Sequence, residues 1–342
     1  MSRVAVIGHF GIGLDLANGQ TIKTKIVTEE VEKYCKEKAV IIDTHGGIRA
    51  IIPVIIGSIK SLVQCENVIL MLTENGLKVS VPVLFLFNKF FHRRLHYVVV
   101  GGWLPEFLKK QQKLVEMLKS FHMIYVETYN MKKLLEEMGF GNIVVMPNCK
   151  SLKIVQEPEK CTKPYKLCTF SRVMKEKGIE DAVNAVISAN KQLGKEIYHL
   201  DIYGQIDSKQ VEWFEKLKKS FPRYIKYCGL IKFDQSVETL KTYFALLFPT
   251  YYIGEGFAGT AIDAFSAGVP VLASDWKYNN EVIKEGINGG LFEAQNVEGL
   301  AMRLIDIAKN PRPWLLMREQ CIIDAHIYKP ENVMRVLLKQ LI

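Results

Sequence analysis

The chain has 342 residues, of which 49% are apolar and 24% charged, and its formal net charge is +9. This composition is typical of a folded globular protein, and the length predicts two domains. The longest apolar run, residues 81–87, falls well short of the ~20 residues that a membrane-spanning helix needs. The residues before Val4 lack the apolar stretch of a signal peptide. We therefore expect neither a membrane-spanning helix nor a signal peptide.

The positive charge is concentrated in the first part of the chain. Residues 1–150 contain 19 Lys and Arg against 13 Asp and Glu, a balance of +6, whereas residues 151–342 contain 26 against 23, a balance of +3. This suits an anionic partner, such as nucleic acid, a membrane surface or a phosphorylated ligand, or else only aids solubility. No nucleic-acid-binding module accompanies the charge, so nucleic acid is not expected. Seven cysteines without a C-x-x-C pair predict reduced thiols in a cytoplasmic protein and no zinc site.

Strand-like and helix-like segments alternate through the first half of the chain. β-branched runs predict strands, and segments with helical periodicity separate them, which favours a parallel sheet covered on both faces. The predicted strands are residues 4–8, 39–43, 67–72, 97–100, 123–126 and 143–146, and the predicted helices include 21–38, 48–63 and 131–138. Residues 150–164 contain two prolines and mixed charge, which is typical of a linker.

The same pattern then begins again. The predicted strands are residues 165–170, 199–203, 224–228, 245–248 and 269–273, with helices at 179–192, 297–309 and 332–341. The fold class is therefore α/β, with two Rossmann-like, doubly wound domains. Ligands of such sheets bind beyond the carboxyl ends of the strands.

A glycine-rich turn follows the first predicted strand. Its order from Gly8 to Gly13 is G-x-x-G-x-G, and not the G-x-G-x-x-G of a dinucleotide site. The turn is therefore either a ligand-binding loop or a flexible connection, and nicotinamide binding is not indicated.

A basic loop follows the strand at 165–170. Arg172 offers a fork of donors for phosphate oxygens, and Lys177 offers a mobile point charge. Gly178 then lets the chain turn into a helix. The loop is either a phosphate site or a solvated turn.

The stretch 254–265 combines a glycine-rich turn with two acidic residues. Glu255 lies in the turn, Gly259 and Thr260 begin a helix, and Asp263 lies about one turn further on. The helix start offers N–H groups and a positive dipole end to an anion. The two carboxylates could accept hydrogen bonds from hydroxyl groups on either side of that anion. This combination suits a sugar nucleotide, although Asp263 could instead only compensate the helix dipole.

These motifs together resemble the retaining glycosyltransferases of family 4, which have the GT-B fold. The family's hallmark is a glutamate, seven residues and a second glutamate, followed by a helix of small residues and G-x-P-V. Here the pattern consists of Glu255, seven residues, Asp263 and then Gly268-Val269-Pro270-Val271. The other matching segments are residues 146–148, 171–178 and 280–292, so the resemblance covers most of residues 120–310.

The resemblance implies a role for each candidate residue. Arg172 and Lys177 would hold the diphosphate and stabilise the charge that develops as the sugar leaves. Glu255 would contact hydroxyl groups of the donor sugar. The remaining nucleotide-sugar contacts would come from the backbone amides near Gly259, Thr260 and Ala261, from Asp263 at the ribose, and from the loop that contains Gly11 and Gly13.

The resemblance also implies a domain arrangement. Residues 1–155 would form an N-terminal acceptor domain, and a last helix at about 325–342 would pack back onto it. Residues 160–322 would form the donor domain, and the two domains would face a central cleft.

Two departures from the family pattern concern the site. Asp263 is one methylene shorter than the usual glutamate. The usual histidine of the N-terminal domain has no counterpart in residues 100–105, whereas His9 and His45 follow other strands. The sequence contains no D-x-D pair, which agrees with a metal-independent transfer in which Arg172 and Lys177 take the place of the cation. No cofactor is expected beyond the donor substrate, for which UDP sugars are favoured.

An apolar and basic segment, residues 85–94, mixes aromatic and cationic side chains, and Lys109, Lys110 and Lys113 lie on a nearby predicted helix. Such a patch suits an anionic membrane surface on the cytoplasmic side and a lipid-linked acceptor, or else is a core helix that ends in solvated charges. The resulting expectation is a retaining hexosyltransferase of surface polysaccharide biosynthesis, acting on a glycan or polyprenyl-linked acceptor. The alternative is a non-catalytic nucleotide-sugar-binding subunit of a glycosyltransferase complex.

Overall fold

The structure is a computed structural model, and it describes residues 3–13 and 19–341. The chain divides into two compact units: unit 1 comprises Met1–Ser151 with Lys329–Ile342, and unit 2 comprises Leu152–Tyr328. Residues 1, 2 and 14–18 of the predicted acceptor domain and residue 342 of the predicted last helix lie outside the described residues.

Unit 1 contains a six-stranded sheet in the order β2-β1-β3-β4-β5-β6, in which all neighbours are parallel. Strands β1 and β3 are buried along their whole length, as expected of apolar runs in a sheet that is covered on both faces. The strands are β1 Val4–Gly8, β2 Val40–Asp43, β3 Asn67–Met71, β4 Arg94–Val98, β5 Met123–Val126 and β6 Ile143–Val145.

Strand β4 begins three residues before the predicted start at 97. The prediction missed this start because His96 is polar, whereas a buried strand is expected to be apolar. His96 is fully buried, and its Nε2 lies 3.1 Å from Oδ1 of Asn67 on β3. Burial lowers the pKa of His96 to about 3, so the ring is neutral at ordinary pH.

Helices cover both faces of the unit 1 sheet. They are α1 Gly19–Cys35, α2 Ile51–Gln64, α3 Glu74–Phe91, α4 Leu104–Leu108, α5 Gln112–Lys119 and α6 Tyr129–Glu136, with a 3-10 turn at Gly47–Ala50 before α2. By length and composition alone, the helical segment Gly47–Gln64 could cross a membrane, with 18 residues and a mean hydropathy of 1.4. The expectation that no segment reaches this length is therefore wrong, because the prediction considered uninterrupted apolar runs only.

Unit 2 contains a second six-stranded parallel sheet, in the order β12-β11-β10-β7-β8-β9. Its strands are β7 Tyr165–Phe170, β8 Tyr198–Tyr203, β9 Ile225–Gly229, β10 Ala245–Phe248, β11 Val271–Asp275 and β12 Gly289–Glu293. The strand order reverses between β7 and β10, so the loops after these two strands diverge and leave a crevice at the carboxyl edge.

The helices of unit 2 also cover both faces of their sheet. They are α7 Ile179–Gln192, α8 Val211–Lys218, α9 Ser236–Leu240, α10 Gly259–Ser266, α11 Asn279–Val282, α12 Val297–Lys309 and α13 Arg312–Ile327. Helices α7 and α12 share one apolar core, and α10 belongs to the other. Helix α13 was not predicted, because its apolar residues are distributed around the helix and show no clear period. Its Trp314 and Cys321 are buried, whereas Leu316 and Ile323 are exposed.

The C-terminal segment belongs to unit 1. It forms two short helices, α14 Pro330–Val333 and α15 Arg335–Leu338, and not the single helix predicted from residue 332 onward. Met334 and Leu337 are fully buried in the core that includes α1. The two-domain, doubly wound α/β architecture expected from the sequence is confirmed.

Candidate functional site

The two predicted motifs of unit 2 follow neighbouring strands. Strand β7 pairs with β10 in parallel, with Leu167 opposite Ala245 and Cys168 opposite Leu246. The loops after both strands therefore leave the same edge of the sheet. The chain from Lys175 to Lys177 forms a 3-10 turn, and Gly178 follows it in a left-handed conformation before α7.

Backbone hydrogen bonds join the two loops. The Tyr251 N–H donates to the Glu176 carbonyl at 2.8 Å, and Oγ1 of Thr250 lies 3.3 Å from the same carbonyl oxygen. On the far side of the turn, the Lys175 N–H donates to Oε1 of Gln210 at 2.8 Å. The 3-10 turn is thus held from both sides.

A lysine and a glutamate that are 78 positions apart in the chain form an ion pair at this junction. Nζ of Lys177 lies 2.6 Å from Oε2 of Glu255, and the same oxygen accepts a hydrogen bond of 2.8 Å from the Thr250 hydroxyl. The side chains of Lys177 and Glu255 are only 14% and 11% exposed. The Lys177 ammonium also lies 5.0 Å from the centroid of the Tyr252 ring. A charge-assisted bond in this setting orients both groups well.

Arg172 is located on the same loop as Lys177 but is far more exposed. Its Nη1 is 3.7 Å from Oδ2 of Asp207, and its side chain is 57% exposed. Val173, the next residue, forms a parallel bridge with Ile206, so the backbone beneath Arg172 is fixed. The guanidinium therefore extends into solvent from a rigid base, and a surface ion pair of this length is a weak restraint.

Helix α10 begins beside the end of β7. The Thr260 hydroxyl donates to the Phe170 carbonyl at 2.7 Å, which fixes the start of the helix against the neighbouring strand. The Ala261 N–H donates to the Ala258 carbonyl at 3.0 Å, so it is already engaged within the turn. The first N–H groups of a helix have no partner within the helix, which leaves those of Gly259 and Thr260 as the stronger candidates for anion binding.

Asp263 lies within α10 and is completely buried. Its Oδ1 accepts a hydrogen bond of 2.8 Å from the Ser236 hydroxyl, at the start of α9. This contact was not predicted, because nothing in the sequence relates two residues that are 27 positions apart on different helices. A ribose could reach the Asp263 carboxylate only after its surroundings open, so the ribose role stays a prediction.

We expect Asp263→Ala to lower the affinity for a ribonucleotide at least about tenfold more than for its 2′,3′-dideoxy analogue, because the ribose hydroxyls would lose a charged acceptor. Calorimetric titration of both ligands measures the difference. Ser236→Ala is the matched control, since it removes the internal partner but keeps the carboxylate. Equal losses for the two ligands with Asp263→Ala would assign the aspartate a structural role only.

In unit 1, the glycine-rich turn after β1 is held by an aspartate at the end of β2. The Asp43 carboxylate accepts backbone hydrogen bonds from Phe10 at 3.0 Å, from Ile12 at 2.9 Å and from His45 at 2.9 Å. Burial acts to raise the pKa of Asp43, but these N–H donors outweigh it, and the pKa lies below its usual range. An ionised Asp43 therefore stabilises the turn.

The two predicted glycines of this turn are both in the left-handed region. Gly11 has φ 60° and Gly13 has φ 83°, conformations that L side chains rarely adopt. Among the described residues, a Cβ added at Gly13 would meet nothing within 4 Å, so a small ligand group could approach the backbone closely there. Their part in donor binding stays a prediction.

The two candidate histidines of unit 1 lie next to each other. Nδ1 of His45 is 3.1 Å from Nε2 of His9, and Nδ1 of His9 is 2.8 Å from the Thr21 hydroxyl. At the place of the usual histidine, the indole of Trp103 donates to the Val100 carbonyl at 2.9 Å. The sequence predicted the two histidines as separate candidates. The fold shows that they form a pair.

Three further residues support the loop after β10 and were not predicted. Thr250 contacts Glu255, as described above. The Ser274 hydroxyl donates to the Thr250 carbonyl at 2.5 Å, and the Trp276 indole donates to the Tyr252 carbonyl at 2.9 Å. Ser274 and Trp276 come from the end of β11, the next strand of the sheet. The sequence feature that could have identified these residues is the presence of polar residues at the ends of three neighbouring strands.

The model of the family described as glycosyl transferases group 1 matches residues 151–326, which are 176 of the 342 residues and include all of these unit 2 contacts. The chain belongs to this family. Among curated relatives, an uncharacterized glycosyltransferase of Methanocaldococcus jannaschii is 26% identical over 157 residues, which cover 44% of this chain and 38% of that protein.

A second curated relative is the GtfA subunit of the UDP-N-acetylglucosamine–peptide N-acetylglucosaminyltransferase of Streptococcus pneumoniae. It is 30% identical over 155 residues, covering 45% of this chain and 29% of that protein. The matches thus span well under half the length of both relatives.

Solved structures resemble the whole chain. The structure of Anabaena HepE in complex with UDP and glucose matches with a TM-score of 0.74 at 11% identity, covering 100% of this chain and 99% of that one. At this identity the likeness concerns the fold alone. With the family match, it confirms the GT-B fold class that the resemblance implied, with two Rossmann-like domains.

Proposed function

We propose that this chain transfers a sugar from a nucleotide-diphosphate sugar, with UDP sugars favoured, to a glycan or lipid-linked acceptor, with retention of anomeric configuration. The setting would be surface polysaccharide assembly on the cytoplasmic side of a membrane. The observation that carries the proposal is the Lys177–Glu255 pair, which lies at the strand-order reversal of unit 2 beside the start of α10.

The geometry supports distinct tasks for the two charges of this pair. A diphosphate seated at the start of α10 would meet the helix N–H groups and the Lys177 ammonium. The exposed Arg172 guanidinium could close over it from the same loop, since it is planar and suited to phosphate oxygens. Together these cations would offset the negative charge that grows on the diphosphate as the sugar leaves, and that is where electrostatic stabilisation lowers a barrier most.

Glu255 has one carboxylate oxygen in contact with Lys177 and Thr250. Its other oxygen, Oε1, would accept hydrogen bonds from hydroxyl groups of the donor sugar. No metal is needed in this scheme, because Lys177 and Arg172 supply positive charge where a D-x-D enzyme would use a cation.

The relatives support the choice of donor. The pneumococcal relative is named for a UDP-N-acetylglucosamine donor, and the HepE structure contains UDP and glucose. We carry the UDP preference over to this chain as part of the proposal. The acceptor, the linkage and the sugar itself depend on pocket contacts worth only a few kcal/mol.

The first test is a binding panel of UDP, GDP, ADP, CDP and TDP and their sugars. We expect one base to raise the melting temperature more than the others, with and without EDTA, and calorimetry to give the affinity of the selected donor. Release of the matching nucleoside diphosphate in the presence of an acceptor would then demonstrate transfer. Loss of binding on EDTA treatment would contradict the metal-independent part of the proposal.

A non-catalytic nucleotide-sugar-binding subunit is the second candidate, and one observation favours it. Asp263, at the position of the family's second glutamate, is fully buried and held by Ser236, so it is withdrawn from solvent. Such a protein would bind the donor but release no nucleoside diphosphate with any acceptor until its partner is added. The same panel followed by a turnover assay separates the two candidates.

A further inference from the structure

One layer of unit 1 carries an unusual exposed surface. Helices α2 and α3 pack against each other, and the sides that face away from the sheet are apolar. Six side chains on these sides are between 50% and 86% exposed. We call them the outer face: Ile48 from the 3-10 turn before α2, Ile52, Ile56 and Val63 from α2, and Leu86 and Phe90 from α3.

The helical period explains why both helices show this face together. On α2 the buried residues Val54, Ser58 and Leu62 point toward the sheet, and Ile52 and Ile56 fall on the opposite side at a spacing of four.

The same relation holds on α3. Its buried residues Leu77, Val81 and Leu84 face the sheet, whereas Leu86 and Phe90 lie about half a turn away from that side. Only 28% of the segment Gly47–Gln64 is buried, which is low for so apolar a helix in a folded domain.

The charges around the outer face are almost all positive. Residues 47–64 and 74–91 contain four cations, Arg49, Lys60, Lys78 and Lys89, against one carboxylate, Glu74 in the first turn of α3. An apolar helix face bordered by lysine and arginine is suited to the interface of an anionic bilayer, where each basic residue near the surface adds attraction.

The topology decides how such a helix would meet a membrane. Strands β2 and β3, which α2 connects, both pair with β1 in parallel register. Both ends of α2 are therefore attached to one sheet, and α2 cannot cross a bilayer without dividing that sheet. In addition, Nε of Arg93, after α3, donates to the Leu62 carbonyl at 2.9 Å and ties the two helices together. The pair can only lie flat.

We propose that the outer face seats unit 1 in the plane of an anionic lipid bilayer, with α2 and α3 parallel to the membrane. The inference rests on the proposed function only for the idea that the acceptor is lipid-linked. A second copy of the chain fits this surface less well. In a two-fold dimer the face meets a second copy of itself, so the cations Arg49 and Lys60 would lie against an equally positive surface, with no carboxylate in residues 47–64 to offset them.

The test is flotation of the full chain with vesicles, without nucleotide. The vesicles contain phosphatidylcholine alone or mixed with phosphatidylglycerol. We expect binding to the anionic vesicles, a loss of about a hundredfold in partition coefficient for Ile52→Glu with Ile56→Glu, and retention of binding for the leucine pair at the same positions. Arg49→Gln with Lys60→Gln should lower the partition coefficient about thirtyfold on anionic vesicles and little on neutral ones.

The matched control is Leu316→Glu with Ile323→Glu, which alters two exposed apolar residues on α13 of unit 2 and should leave vesicle binding unchanged. Melting temperature and UDP binding show that each variant is folded, and UDP binding also tests the proposed function independently. If the unaltered protein does not float with anionic vesicles, or if the glutamate pair instead dissociates a dimer in light scattering, the bilayer proposal is wrong. A control pair that binds as weakly as the Ile52 and Ile56 variant would overturn it as well.

Discussion

Replacing Lys177 with methionine is expected to lower the affinity for the selected nucleoside diphosphate at least about thirtyfold and the turnover of transfer about 10²- to 10³-fold. The first loss reflects removal of a well-placed cation from the diphosphate. The second reflects loss of charge stabilisation in the transition state. Calorimetric titration and steady-state release of the diphosphate measure the two effects separately.

The same change should also destabilise the fold. Glu255 is nearly buried, and without Lys177 its carboxylate would keep the Thr250 hydroxyl but lose its counter-charge. Breaking a buried pair from one side costs about 3 kcal/mol. Lys175→Met is the matched control, because Lys175 belongs to the same 3-10 turn and is exposed. It should lower the stability by less than about 1 kcal/mol, through its exposed contact with the Trp213 ring, and leave binding unchanged.

A double variant separates structure from function. Lys177→Met combined with Glu255→Gln removes both charges and should recover most of the lost stability, because no buried charge is left unpaired. Binding and turnover should remain low. If the double variant also regained activity, Lys177 would have only a structural role, and the proposed function would lose the observation that carries it.

Gly178→Ala is expected to destabilise the protein by more than ~3 kcal/mol and to abolish diphosphate binding. Gly178 has φ 68°, and a Cβ there would run into the backbone carbonyl of Pro249, far inside van der Waals contact. The 3-10 turn would have to move away from the loop after β10. Lys177 would then leave Glu255. Chemical denaturation and calorimetry check the two effects.

Gly194 provides a control with the same backbone conformation. It also has φ 68°, but a Cβ there would meet nothing within 4 Å in the part of the chain that the structure describes. Gly194→Ala should therefore cost only the conformational penalty of a left-handed alanine, about 1–2 kcal/mol, and leave binding intact. The difference between the two variants isolates the close approach of the two loops. If both variants lost the same stability, the contact with Pro249 would have no energetic weight.

Several parts of this protein could be predicted from the sequence because they depend on local patterns. Strands such as β5 and β7 are buried β-branched or aromatic runs bounded by turns, and their predicted limits agree with the structure. The loop at Arg172 and Lys177 and the turn at Glu255 are candidates because glycines and charges at strand ends suit anion binding, and the family resemblance joins them into one predicted site. Errors arose where a polar residue is buried, as at His96 in β4, or where a helix shows no apolar period, as in α13.

The sequence by itself determined the class of the fold and the residue types at the strand ends. The reason is that the apolar patterns that mark strands and helices extend over only a few residues. The tertiary structure decided which of those residues meet. Lys177 contacts Glu255 because β7 and β10 are neighbours in the sheet, although 74 residues, 171–244, lie between the two strands in the chain. The burial of Asp263 against Ser236, and the exposure of the isoleucines of α2, likewise depend on packing partners that are distant in the chain.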